Sequence, residues 1–358
     1  IEKLGVDSIY KKLDSTFRGH VAQECLGVLD EMRWQACVIA PAYPEQERQT
    51  IGGYQIVAGL PLQQTDAARD PLFPVRQSYL PDILGGQSSP NIVGYLPLSS
   101  VIEGAGPIRQ KLMELLGERK KLIVADACTD TDLEQIALAI NALPSDINVL
   151  PCGSAGLAKA MTKKLQQRRE RLQTEMLEED MLESKISIPS RPALMMIGSM
   201  SSVSRIQIET LLAHSKDYGL KGSIHHLQLT HSQIFKETPI FPLIEQAIML
   251  LNAGQNVLLT TSYPAQVADE CLEYAASKGL SALDMTQKVN RLFSEMALQM
   301  TTDCNPHLVL SGGETANAVC KAIGSQYLKL MGEVETSITL CHDQHKRYIV
   351  TKSGGFGE

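Results

Sequence analysis

Short apolar runs rich in Val, Ile and Leu alternate with helical periodicities along the whole chain, and such alternation builds βαβ units with mostly parallel strands. In the first half, Ala36 to Ala40, Leu122 to Ala125 and Asn148 to Pro151 read as strands. The second half repeats the style with Ala193 to Ile197, Ile224 to Leu229, Val257 to Thr261, Leu308 to Leu310 and Tyr348 to Thr351. Between strands, Val21 to Met32 sets Ala22, Cys25, Leu26, Leu29 and Met32 on one helical face. Thr131 to Leu143 forms another helix, started by the capping signal of Thr129 and Asp130.

A chain of 358 residues exceeds one ordinary core, so two domains are expected. Lys163 to Lys185 is dense in charge and runs through Ile186 into Pro189 and Pro192, which reads as a charged helix entering a linker. The boundary is placed near Ser187, giving one domain over 1–186 and a second over 187–358. Gln77 to Asn91, with its prolines, paired glycines and serines, reads as a surface loop. The opening IEKLGVDSIYKK begins without Met and reads as a helix tail entering a strand, so an N-terminal piece is expected to be missing from this chain.

Hydrophobic residues at 44% and charged ones at 20% exclude a wholly disordered chain. A net charge of -7 argues against nucleic acid, whose phosphate backbone needs a basic surface, while a small anion needs only a few local cations. The eight cysteines include no CxxC pair and several sit in apolar segments, which fits free buried thiols in a reducing compartment better than disulfides or zinc. No apolar run reaches about 18 residues and no leader pattern opens the chain, so a cytoplasmic protein without a membrane span is expected. The spacing of the histidines matches no zinc pattern. Homo-oligomerisation is left open.

Four turns have the form that aims free backbone N–H groups and the positive end of a helix at an anion. In the first, KKLDSTFRGH at 11–20, Lys12 or Arg18 suits a carboxylate, while Asp14 and Ser15 suit sugar hydroxyls. The plainer alternative is a helix capped by Asp14 or Ser15. The second, GSAGLA at 153–158, serves tight helix-to-sheet packing equally well. The third, GSMSS at 198–202, offers hydroxyls and amides to a phosphate or ribose. The fourth, SGGETA at 311–316, pairs glycines with a helix start, yet it is neither GxxxxGK[ST] nor GxGxxG. The glycine-rich tail at 352–357 is either a fifth such turn or flexible.

Taken in order, KKLDSTFRGH, PAYPEQER at 41–48, ARDP at 68–71, DACTDTDL, GSAGLA, GSMS and SGGETA resemble the four-carbon acid sugar kinases across nearly the full chain. The resemblance implies two α/β domains, each a largely parallel sheet flanked by helices, with the active site in the cleft between them. It implies a first domain that binds a sugar acid through Lys12, Asp14, Ser15, Arg18 and Arg48, with Lys12, Asp14 and Arg18 carrying the chemistry. The second domain would bind ATP through Ser199 or Ser201, Gly312, Gly313, Glu314, Thr315 and Gly354. ATP with Mg²⁺ and a sugar acid are the implied partners, and transfer to the terminal C4 hydroxyl the implied reaction.

Three departures stand out. The DDxTGA-type element that opens family members is absent, Gln46 and Glu47 occupy a place that usually ends in Gly before Arg48, and Glu335 to Thr339 lacks a GxP pattern. A non-catalytic sensor of nucleotide or sugar acid is the competing class. A nicotinamide dehydrogenase is disfavoured by the missing GxGxxG turn.

Overall fold

The computed structural model describes residues 9–70, 72–163, 190–198, 202–214, 223–261 and 263–353. The expected charged helix and linker over 163–189 therefore lies almost wholly outside the described residues, as does the opening up to residue 8. The chain divides into two compact units, Ile1–Glu183 and Ser184–Glu358.

The first unit runs β1 (Lys11–Lys12), α1 (Val21–Met32), β2 (Ala36–Ala40), β3 (Arg48–Ile51), β4 (Tyr54–Val57), β5 (Leu60–Pro61), α2 (Leu80–Gln87), β6 (Val93–Leu96), α3 (Leu98–Ile102), α4 (Ala105–Gly117), β7 (Leu122–Ala125), α5 (Asp130–Asn141) and β8 (Val149–Gly153). Its main sheet has the order β1-β8-β2-β7-β6, parallel throughout. Every residue of β2 is buried because both faces are covered. Cys37 and Ile39 join the core under α1 and α2, while Ala36, Val38 and Ala40 join the one under α3, α4 and α5. Helix α5 begins as the sequence suggests: the Thr129 hydroxyl accepts from the Asp132 amide, and the Asp132 carboxylate accepts from the Thr129 amide at 2.9 Å.

Gln77 to Asn91 is not a surface loop. It holds α2, with Leu80 and Leu84 fully buried against the α1 side of the sheet. Pro81 stands where a helix tolerates proline, in the first turn, and Pro90 packs against Gly85. A small antiparallel sheet, β3-β4-β5, is added outside the main one. Its hairpin turns on Gly52 and Gly53, with φ of 61° and 78°, the left-handed pair that matches strand twist in a two-residue loop.

The second unit runs β9 (Ala193–Ile197), α6 (Ser202–His214), β10 (Ile224–Gln228), α7 (His231–Ile234), α8 (Phe241–Asn252), β11 (Asn256–Thr260), α9 (Ala265–Ser277), α10 (Ala282–Asp303), β12 (His307–Ser311), α11 (Gly313–Ala322), β13 (Lys329–Glu335), β14 (Ile338–His342) and β15 (Tyr348–Lys352). The sheet order is β10-β11-β9-β12-β15-β14-β13. The first five strands are parallel, and β14 and β13 extend the sheet antiparallel. Glu335 to Thr339, which lacks a GxP pattern, runs from the end of β13 through a turn at Thr336 and Ser337 into β14. Leu194, Val257, Phe293, Leu308 and Ile349 belong to one continuous buried cluster. Among the described residues no helix is long and apolar enough to cross a membrane.

Candidate functional site

In the first unit the chain leaves the carboxyl end of β1 into a tight turn. The Asp14 carbonyl accepts from the Phe17 amide at 2.8 Å, and Phe17 takes φ of 56° with its ring fully buried. A bulky residue in the left-handed region is strained, and the buried ring holds it there. Asp14 is drawn inward by this turn. Its carboxylate accepts from the Thr16 amide at 3.1 Å, the Thr16 hydroxyl at 2.8 Å and Arg18 Nε. Arg18 Nη1 reaches on to Asp70 Oδ2 at 2.7 Å. The capping alternative for Asp14 and Ser15 fails, because α1 starts only at Val21 with His20 before it.

Burial works to raise the Asp14 pKa, and Arg18 with the Thr16 donors outweighs it, so the carboxyl sits below its usual range. Asp70 is lowered in the same way, by the amides of Phe73 and Leu72 and by Arg18, against its own burial. Both are therefore carboxylates at neutral pH.

Arg48, on β3, is buried and lies in the fields of Asp14, Tyr43 and Arg18; burial lowers its pKa and Asp14 opposes that. Its strand is fixed to the turn: Gln55 of β4 donates to the Ser15 carbonyl at 2.8 Å and accepts from Thr50 at 2.8 Å. Glu47, just before it, has φ of 53°, the conformation that explains a glycine preference at this place. Lys12 donates to the Leu13 carbonyl at 2.6 Å; desolvation lowers its pKa and the field of Asp14 opposes this.

The structure thus brings together Asp14, Arg18 and Arg48 as expected, with Lys12 alongside. Ser15 is also in the turn but only 3% exposed. Asp70, of the ARDP segment, joins this cluster through Arg18 and was not among the expected residues; an acid close to an arginine in the same motif was the available signal.

Two other motif segments are structural. Asp126, of DACTDTDL, is fully buried and accepts from the amides of Gly52, Gly53 and Leu98 and from the Tyr95 hydroxyl, at 2.6 to 3.0 Å. In GSAGLA, a Cβ on Gly153 would lie 2.5 Å from the Ala40 carbonyl, and one on Gly156 2.9 Å from that of Ala42. Those glycines allow the close approach of backbone to backbone.

In the second unit, β9 leads toward β11 and β10 on one side, while β12 leads toward β15 on the other. The carboxyl ends of adjacent β9 and β12 form a topological switch point, where doubly wound sheets open a crevice. Gly198 and Gly312 follow these two strands. Gly312 takes φ of 108° and its amide donates to the Lys352 carbonyl at 2.9 Å. Helix α11 then starts at Gly313 without a side-chain cap, so its first amides are turned to the strand ends.

Thr315 is buried and donates to Asn290 at 3.1 Å, and a Cβ on Gly198 would lie 2.5 Å from its hydroxyl. Gly313 and Glu314 are exposed, and nothing lies within 4 Å of a Cβ built on Gly313. The Ser311 hydroxyl is buried with no hydrogen-bond partner among the described residues. Burial also pushes Lys352, at the end of β15, down to about 8. The turn brings Gly312, Gly313, Glu314 and Thr315 together, and this uncapped, glycine-lined helix start fits a phosphate. Ser199, Ser201 and Gly354 lie outside the described residues.

Comparison with known proteins bears on both halves. A sugar-binding N-terminal domain matches residues 1–161, and a nucleotide-binding C-terminal domain matches residues 194–358. The chain belongs to the four-carbon acid sugar kinase family. Within it, the chain is 29% identical to a D-threonate kinase of Salmonella typhimurium, with 98% of this chain and 77% of that protein covered. It is 26% identical to a 3-oxo-tetronate kinase of Pseudomonas savastanoi pv. phaseolicola, covering 100% and 78%. A D-erythronate kinase of Heliobacterium modesticaldum is 39% identical over a shorter stretch, 36% of this chain and 29% of its own length.

Two solved structures share the fold of this family member. One, from Salmonella typhimurium LT2 and described as a candidate tRNA synthase, gives a TM-score of 0.75 at 19% identity, covering 100% of this chain and 80% of that one. The other, from Haemophilus influenzae, gives 0.64 at 20%, covering 100% and 81%.

Proposed function

We propose that this chain is an ATP-dependent kinase that phosphorylates the terminal C4 hydroxyl of a four-carbon sugar acid. Its class as a phosphotransferase follows from its family, and relatives that span it end to end are named for D-threonate and 3-oxo-tetronate. The observation that carries the reading is the Asp14, Arg18, Arg48 and Asp70 cluster, two carboxylates and two guanidiniums at the end of a parallel sheet.

A polyhydroxy acid needs both kinds of group. Guanidinium donors suit its carboxylate, and carboxylates accept from its hydroxyls. Arg18 spends two of its five donors on Asp14 and Asp70, which fixes its plane and leaves the others for substrate. Lys12 adds a further cation at the same end of the sheet.

Asp14 holds the nucleophilic hydroxyl in this reading. Because its pKa is lowered, it is a weak base, and its part is to orient the hydroxyl by accepting its proton in a hydrogen bond. Phosphoryl transfer through a loose transition state asks for positioning and charge neutralisation more than for a strong base. The amides at the start of α11 and the Ser311 hydroxyl bind phosphate oxygens, and Glu314 is the carboxylate of that turn suited to Mg²⁺. Mg²⁺ supplies charge neutralisation at the phosphates when bound.

The test is coupled ADP release by the full-length protein with ATP, Mg²⁺ and D-threonate, D-erythronate and 3-oxo-tetronate in turn, beside Asp14→Ala. Saturable turnover of one acid, lost in the variant, is expected. ATP binding without ADP release on any acid would make the chain a sensor instead.

A further inference from the structure

Beneath the substrate turn lie three thiols that the kinase chemistry does not use. Cys25 of α1, Cys37 of β2 and Cys152 of β8 are each 0% exposed, and their sulfurs all lie within 4.8 Å of one another. Cys25 and Cys152 are 3.7 Å apart. The topology makes the trio: β2 and β8 are adjacent, with Ile39 paired to Cys152, and α1 packs Cys25 onto the face that Cys37 and Cys152 share.

We propose that this trio is a binding site for a trivalent thiophilic metalloid, the arsenous acid class. Two arguments select it. The first is geometric: sulfur ligands about 2.3 Å from a three-coordinate centre stand about 3.4 to 4 Å apart, within reach of the observed spacing.

The second is charge. Three thiolates around a monovalent soft ion leave two negative charges in a dry core, and around a divalent ion they leave one, both costly because the nearby cation, Lys11, is already paired with Glu24 at 2.6 Å. A trivalent centre with three thiolates is neutral. Zinc would also need a fourth ligand, and the cluster among the described residues holds only these three.

The exchange with neutral arsenous acid also balances. Each of its three hydroxyls leaves as water with one thiol proton while one arsenic–sulfur bond forms, so three waters are released and nothing is oxidised or reduced.

The experiment uses reduced full-length protein incubated with sodium arsenite at neutral pH, desalted, and examined by elemental analysis and X-ray absorption at the arsenic edge. One retained arsenic per chain with three sulfur neighbours is expected. Cys25→Ala and Cys37→Ala should each cut retention at least tenfold, and Cys271→Ala, a buried thiol outside the trio, should leave it unchanged. The wild-type spectrum decides even where a variant fails to fold: no retained arsenic, or fewer than three sulfurs, overturns the proposal. Silver ion or cadmium retained more tightly than arsenic in a parallel titration would overturn the charge argument.

Discussion

Asp70 owes its place in the site to one guanidinium, which it shares with Asp14. Removing it frees Arg18 to swing, so Asp70→Ala should lower kcat/KM for the sugar acid about tenfold, the low end for a charged hydrogen bond because Arg18 is 38% exposed. Steady-state kinetics with unchanged KM for ATP would support this; a loss confined to ATP would count against it. A second buried carboxylate has a different office. Asp343 accepts from Arg347 Nε at 2.7 Å, from the Ser325 hydroxyl at 2.9 Å and from two backbone amides, and its side chain is fully buried. Burial favours its neutral form, and these donors outweigh burial, so its pKa is lowered. Asp343→Ala strands Arg347 and should cost about 3 to 5 kcal/mol. A lowered pKa contributes fully above the unfolded value of about 4 and is lost as pH falls through the folded one. The gap between wild type and variant in denaturant unfolding, followed by circular dichroism, should thus be flat from pH 7 to about 4 and narrow below. Such residue roles were only half legible in sequence: a motif can nominate Asp14, but whether Asp126 touches substrate or ties four donors together is settled by three-dimensional neighbours.

Elements explain which glycines matter. A methyl on Gly198 would press on the Thr315 hydroxyl at the start of α11, whereas one on Gly313 meets open space. Gly198→Ala should therefore lower the melting temperature and raise KM for ATP severalfold, with Gly313→Ala melting like wild type. Any loss of ATP affinity in Gly313→Ala would then come from the ligand's side of the turn. The doubly covered strands β2 and β7 were legible because burial on both faces writes an unbroken apolar run. Helix α2 was not, since two glycines and a proline in eight residues outweigh two buried leucines in any local reading. The β3–β4 hairpin carried its signal in the Gly52-Gly53 pair, and it matters because it delivers Arg48 to the site.

At the scale of the whole molecule, each unit has its own buried clusters, and each carries one of the two sets of proposed binding residues. Hydrogen exchange should show this: a sugar acid should slow exchange around residues 13–18 and 48–57, and ATP that around 311–316, each by about tenfold or more at saturation. Protection of both regions by ATP alone would contradict separate half-sites. The division into two units was readable from length and composition, since neither half can hide its apolar runs without a sheet of its own. The balance of charge in the first cluster was not. Asp14 and Asp70 cancel Arg18 and Arg48, Lys12 alongside leaves one positive charge, and the chain as a whole carries -7. A net charge of -7 gives anions little attraction from a distance. On the proposed reading, an acid is admitted by fitting hydroxyls and carboxylate to these fixed groups at once, so discrimination is built in at the threshold and encounter is left to diffusion.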